Sequence, residues 1–251
     1  MYVICGKNNL KYMKPFLSAE WRYLIMANYA FDPALLQPFL PAGTELDTFN
    51  GTHYVSLVGF LFDKTCLKGI PIPFHTRFEE VNLRFYVHRK ENGVWKRGVV
   101  FIKEIVPKMA ISLVANQLYG EHYQTMPMKH QWLIDDNTLQ INYSWRFGGL
   151  WQSIGVNARN RSQSIVAGSV SEFITEHYWG YTRLSETTTS EYEVKHPTWR
   201  VFPVEKCEIN CSFEQLYGTA FKSLDSMKPT SVLLADGSAI QVMSGRKFTE
   251  K

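Results

Sequence analysis

The sequence predicts one mainly β domain with peripheral helices, an α+β class in which a barrel or a sharply curved antiparallel sheet encloses a pocket. Three observations carry this reading. Runs of β-branched and aromatic residues dominate the chain, joined mostly by turns, while the stretches with helical spacing are few and short. The 251 residues are 45% hydrophobic, 14% aromatic and 20% charged, the balance of a packed globule. No internal repeat, low-complexity tract or Pro/Gly-rich linker divides the chain, and a domain of this length buries roughly three quarters of its unfolded surface.

Residues 1–19 read as an irregular arm ahead of a single domain over 20–251. Residues 21–29, rich in aromatic and aliphatic side chains, suit a buried strand. Asp32-Pro33 then opens a helix, Asp as cap and Pro in the first turn, and Pro41 ends it. Residues 54–62 form the next strand, and the Pro71–Pro73 segment interrupts the pattern before an alternating run over 78–88. There Val81, Leu83, Phe85 and Val87 share one face, and Glu80, Asn82, Arg84, Tyr86 and His88 the other. Lys90-Glu91-Asn92-Gly93 has the composition of a hairpin turn, returning the chain as a strand over 94–106. Pro107 opens a helix whose Ile111, Val114, Ala115 and Leu118 follow helical spacing. Strands at 129–134, 139–147, 191–195 and 239–243 and helices at 171–178 and from Ser212 complete the pattern.

Charge and cysteine usage exclude several functions. The formal charge of +4 is dispersed, and the densest basic stretch, Arg159-Asn160-Arg161, lies among Ser, Gln and Gly as a solvated loop would, so no nucleic acid is expected. Cys207 and Cys211 form a C-x3-C pair with no second pair or nearby His to complete a zinc site, Cys5 and Cys66 stand apart, and the seven His show no ligand-like spacing. No metal and no cofactor is expected. Phosphate-loop, dinucleotide, zinc-protease and nucleophile-elbow motifs are missing. No apolar run is long enough to span a bilayer, and the start of the sequence does not read as a secretion signal, so a cytoplasmic protein with reduced thiols is expected.

The segments Phe78–Val87, Trp21–Tyr29, Gly98-Val99-Val100-Phe101 and His196-Pro197-Thr198-Trp199 together resemble the YqjF-like family of uncharacterised bacterial proteins, over about residues 20–217. That family is similar in fold to acetoacetate decarboxylase, whose enclosed pocket holds an arginine, a glutamate and a Schiff-base lysine. The resemblance carries those roles onto Arg22, which precedes Asp32 and Pro41 as the decarboxylase arginine precedes an Asp and a Pro, onto Glu80, two residues after Phe78, and onto Lys108. Lys103-Glu104-Ile105-Val106-Pro107-Lys108 matches the family's lysine segment after deletion of two residues. The second lysine of the decarboxylase pair is Met109 here.

In those roles Lys108 forms an imine, Glu80 moves a proton, and Arg22 holds a substrate carboxylate by a forked pair of hydrogen bonds, with Arg84 and Glu104 as further substrate-binding candidates. An amine attacks a carbonyl only when neutral, so Lys108 needs burial or a neighbouring positive charge. The plain alternatives stay open. Lys108 is then a solvated charge in a first helical turn, the Glu80–His88 face is the wet side of an edge strand with Arg84 neutralising Glu80, and Arg22 is a surface partner of Glu20. The expected function is a decarboxylase- or lyase-like enzyme acting on a keto acid or related carbonyl compound. A non-catalytic binding protein with the same pocket is the alternative. The expected partner is a small molecule, and assembly into a homo-oligomer is left open.

Overall fold

A computed structural model describes residues 15–108 and 122–250. Strand β1 (Leu17–Ala30) begins within the stretch read as an arm. Asp32 caps α1 (Pro33–Leu36) as expected, its carboxylate accepting from the Ala34 amide at 2.9 Å, and a short 3-10 turn over Gln37–Phe39 completes this segment. β2 (Glu45–Leu46), β3 (Tyr54–Leu67) and β4 (Ile70–Pro71) lead to β5 (Phe78–Glu91) and β6 (Val94–Val106). The last two form the expected hairpin, its turn residues Asn92 and Gly93 both at positive φ, the conformation that matches the twist of paired strands. The helix expected after Pro107 lies outside the described residues.

Beyond it come β7 (Tyr123–Thr125), β8 (Met128–Ile134), β9 (Thr138–Phe147), β10 (Leu150–Arg159) and β11 (Gln163–Ser164). Helix α2 (Val170–Thr175), capped by Ser169, precedes β12 (Trp179–Arg183), β13 (Thr188–Lys195), β14 (Arg200–Phe202) and β15 (Val204–Asn210). The chain ends in α3 (Phe213–Tyr217), a 3-10 segment over Thr219–Asp225, β16 (Ser231–Val242) and β17 (Arg246–Thr249). No described helix is long and apolar enough to cross a membrane.

Thirteen of the described strands form one sheet, with the central order β16-β1-β3-β5-β6-β12-β13. It is mixed rather than wholly antiparallel, because β6 pairs in parallel with β7 and with β12, both reached by long connections that return the chain to the same end. β13 meets β16 only at Val194↔Val242 and Lys195↔Gln241, so the sheet curls round on itself without closing into a barrel. A second sheet, β15-β10-β9-β8, packs on its outer face.

The central strands are therefore buried on both faces. Val81, Leu83, Phe85 and Val87 meet Ile141, Tyr143, Trp145 and Ile154 of the second sheet in one core. The opposite faces of β1, β3 and β5 bring Leu24, Met26, Phe60, Phe78 and Tyr86 into a second core inside the curl, with Phe173 of α2 and Trp199. Each such side chain contributes about 1.5–3 kcal/mol by leaving water.

Two bulges decide which residues face inward. In β1, Tyr23 has φ +49 and the pairing with β3 slips between Arg22 and Ile25. Trp21 and Leu24 consequently share the inner face, whereas strict alternation would separate them. Gly237 on β16, paired with Arg22, permits this: it lies at φ +80, and a Cβ there would sit 2.0 Å from the Trp21 carbonyl oxygen. The second bulge, between Leu83↔Lys103 and Arg84↔Phe101, reverses the phase of β6.

Candidate functional site

A cavity of about 200 Å³ lies on the inner face of the curled sheet. Its walls are mainly aromatic: Phe62 stacks on Phe78 at 4.6 Å, Trp21 meets Phe60 edge-on at 5.2 Å, and His196 lies flat on Trp199 at 4.2 Å. The His196-Pro197-Thr198-Trp199 segment thus forms one wall. Burial holds the His196 imidazole below its ordinary value.

The polar lining comes chiefly from β5 and β6. Glu80, Asn82 and Arg84 line the cavity at two-residue steps, with Glu104 on the strand alongside, directly paired with Asn82. Glu80 is 2% exposed and Glu104 1%, so this face of β5 is the inside of a cavity and not the wet side of an edge strand. The Asn82 amide donates to Glu80 Oε1 at 2.9 Å, and the Tyr123 hydroxyl of β7 donates to Oε2 at 3.2 Å. Buried carboxylates require such donors.

Arg84 does not neutralise Glu80. The two are four residues apart on one strand, roughly 13 Å between α-carbons, and no ion pair of Arg84 occurs among the described residues. Its guanidinium lies over the Tyr86 ring at 5.6 Å, with Nη2 3.9 Å from the Met26 sulfur, and Nε has no hydrogen-bond partner among the described residues.

The sequence-derived candidates therefore separate into two groups. Glu80, Glu104 and Arg84 line the cavity; Arg22 and Lys108 are not among its lining residues. Arg22 points to the face of β1 opposite Trp21, where it pairs with Glu20, itself bound to Lys64 at 2.7 Å. Its side chain is 40% exposed. Lys108 is half-buried just past the end of β6. Its charge bears on Glu79, which projects from β5 on the side away from Glu80 and bonds His130 at 2.6 Å. Burial pushes the Glu79 carboxyl up, but His130 and Lys108 together hold it below the ordinary carboxylate value. The bulge in β6 explains Lys103: strict alternation would place it beside Phe101, but it turns outward, donating to the Leu216 carbonyl, while Glu104 turns in. Burial lowers the Lys103 amine below its ordinary value.

Residues 18–239 match the family DUF2071, described as an uncharacterized conserved protein. The chain belongs to that family. It is also 34% identical over 82 residues to the uncharacterized protein YqjF of Bacillus subtilis (strain 168), a match spanning 32% of each chain. Solved structures share the fold, three of them as follows. An acetoacetate decarboxylase-like enzyme from Sphingomonas wittichii RW1 superposes with a TM-score of 0.65 at 12% identity, covering 98% of this chain and 100% of that one. The enduracididine biosynthesis enzyme MppR complexed with pyruvate gives 0.63 at 12%, covering 96% and 93%. Acetoacetate decarboxylase from Legionella pneumophila gives 0.62 at 14%, covering 99% and 93%.

In this DUF2071 chain the cavity has a further polar element that the sequence pattern does not announce. His177, two residues past the end of α2, lines the cavity with its side chain 1% exposed, and its Nε2 lies 3.1 Å from Asp47 Oδ2. Arg97 Nε donates to the same oxygen at 2.7 Å, and the His88 ring approaches Oδ1 at 3.3 Å. Burial raises the Asp47 carboxyl, but the bonds from His177 and Arg97 outweigh it and hold the group well below the ordinary range. The His177 imidazole is lowered too, which favours its neutral form: burial, with the charges of Arg97 and Arg84, pulls it to about 4 against the bond to Asp47. Asp47 and His177 are 130 residues apart, and only the placement of Asp47 just past β2, against β5, brings them together. Among the described residues no group of three His, Cys, Asp or Glu is placed to hold a metal ion.

Proposed function

We propose that this protein binds a small carboxylate of the keto-acid kind in the cavity, with Arg84 as its anchor. One observation carries the reading: a guanidinium lines an aromatic cavity with no carboxylate partner among the described residues. A planar, permanently charged fork in such surroundings is matched by a carboxylate. The likeness in fold to MppR, whose complex contains pyruvate, supports the same ligand class. A noncovalent site is favoured over imine chemistry, because Lys108 is not among the lining residues and its charge falls on Glu79.

Thermal unfolding with pyruvate, phenylpyruvate and the neutral ketone phenylacetone tests this. At a hundredfold excess over Kd a ligand adds about 2.7 kcal/mol, or roughly 5–10 °C in Tm for a chain of this length. The expected result is a shift with at least one keto acid, little with phenylacetone, and none in Arg84→Met. No shift with either acid, or a shift that survives Arg84→Met, overturns the reading. Borohydride reduction in the presence of the same acids is expected to leave the mass unchanged; an adduct that Lys108→Ala removes would restore the imine route.

A further inference from the structure

His177 is among the cavity-lining residues with a polar atom that has no hydrogen-bond partner among the described residues. Asp47 is acceptor-only when ionised, so the 3.1 Å contact with Nε2 requires the proton to be on that nitrogen. Its other oxygen accepts from the Thr48 amide at 2.8 Å, and Arg97 anchors the carboxylate from behind, so the orientation is fixed from three directions. A neutral ring protonated on Nε2 presents a bare lone pair at Nδ1, and Nδ1 is buried with no hydrogen-bond partner among the described residues. The ring is held between Tyr86 at 4.8 Å and Phe173 at 5.0 Å. A buried acceptor left unmatched costs about 1–3 kcal/mol, and a ligand that donates to it recovers that loss.

Arg84 and His177 both line the cavity and both pack on the Tyr86 ring. We infer that the ligand carries a hydroxyl as well as a carboxylate, the carboxylate on Arg84 and the hydroxyl donating to Nδ1 of His177, with Asp47 as the residue that fixes the tautomer. The class is a hydroxy carboxylate, or the enol form of a keto acid. This rests on the proposed carboxylate site and adds the group that selects within it. No bond is made or broken in this recognition; His177 determines which carboxylate is preferred.

The test uses ligands differing by one hydroxyl. Binding of 3-phenylpropanoate is compared by calorimetry with 2-hydroxy-3-phenylpropanoate, 3-hydroxy-3-phenylpropanoate and 3-(4-hydroxyphenyl)propanoate, in the wild type and in His177→Phe, which keeps a ring between Tyr86 and Phe173. At least one hydroxylated acid is expected to bind about tenfold or more tightly than the parent, with that advantage gone in His177→Phe and the parent's affinity retained. If all four acids bind the wild type equally, or the advantage survives in the variant, His177 does not read the hydroxyl and the inference falls while the carboxylate site stands. If no acid binds, both fall together. A readout that needs no ligand covers the case in which His177→Phe fails to fold. Nitrogen NMR of the wild type is expected to show the His177 proton on Nε2, and Asp47→Asn to redistribute it; a proton on Nδ1 in the wild type overturns the inference outright.

Discussion

Acidification probes the His177–Asp47 pair through stability alone. The imidazole has an ordinary value of 6.5 and is pulled to about 4 by burial, so the unfolded chain takes up this proton well before the folded one. Stability therefore rises with pH through that window and is lost as pH falls from about 6.5 toward 4. The titratable and charged groups around the ring are Asp47 on Nε2, Arg97 and His88 against Asp47, and Arg84 across Tyr86. Asp47, held well below its ordinary value of 3.8, loses its own contribution only at lower pH. At 1.36 kcal/mol per unit, the fall from pH 7.5 to 4.5 removes about 2.5 kcal/mol through His177. Urea unfolding of the wild type and of His177→Gln at both pH values gives the contribution as a double difference, in which the titration of distant carboxylates cancels. Gln keeps a donor for Asp47 and does not titrate. The wild type is expected to lose about 2.5 kcal/mol more than the variant; equal losses within about 0.5 kcal/mol refute a buried neutral ring.

Two predictions concern the frame that holds the cavity. Glu191 is fully buried and accepts from Arg246 at 2.5 Å, Arg89 at 3.4 Å and Lys96 at 3.5 Å, and Glu91 pairs with the same three cations, so Glu191→Ala leaves each with one carboxylate and should cost about 1.5–3 kcal/mol in urea unfolding. Arg246, more than half exposed, should cost at most about 1 kcal/mol on truncation; similar losses for the two would show that the network is not organised around Glu191. Gly237→Ala forces a Cβ against the Trp21 carbonyl and should cost about 2 kcal/mol or more with a change in Trp21 fluorescence. A neutral outcome would mean that the β1 bulge relaxes freely.

Much of the frame was legible because its signals are local. The β5 alternation separated Val81, Leu83, Phe85 and Val87 from Glu80, Asn82 and Arg84, and the Asn92-Gly93 turn fixed its pairing with β6. Strand β10 was not read, since Gly155 and Asn157 are poor strand formers on a face that only the second sheet makes regular. What covers the inner face of β5 is nonlocal, so its polar residues could be assigned to a cavity only through the resemblance. Arg22 and Glu104 turn on bulges that leave no mark in the sequence: Tyr23 at φ +49 has no glycine signature, and nothing in Phe101-Ile102-Lys103 announces a change of phase. His177 was one of seven histidines without ligand-like spacing, and its meaning depends on Asp47 at the other end of the fold.

The order of charges along β5 limits what the cavity can hold. Glu80 and Arg84 are too far apart to cancel, and Asn82 between them is a neutral spacer that donates toward Glu80. An anion near Glu80 would be repelled, whereas one at the Arg84 end is separated from that carboxylate by four residues of strand, roughly 13 Å. With its charged head fixed there, the rest of the ligand would face Phe101, which pairs with Arg84 across β5 and β6, and the stacked rings of His196 and Trp199. Pyruvate leaves most of that aromatic surface uncovered, while an aryl keto acid removes it from water at about 25 cal/mol per Å². Phenylpyruvate should therefore stabilise the protein more than pyruvate at equal concentration, and the reverse order would place the anion somewhere other than Arg84.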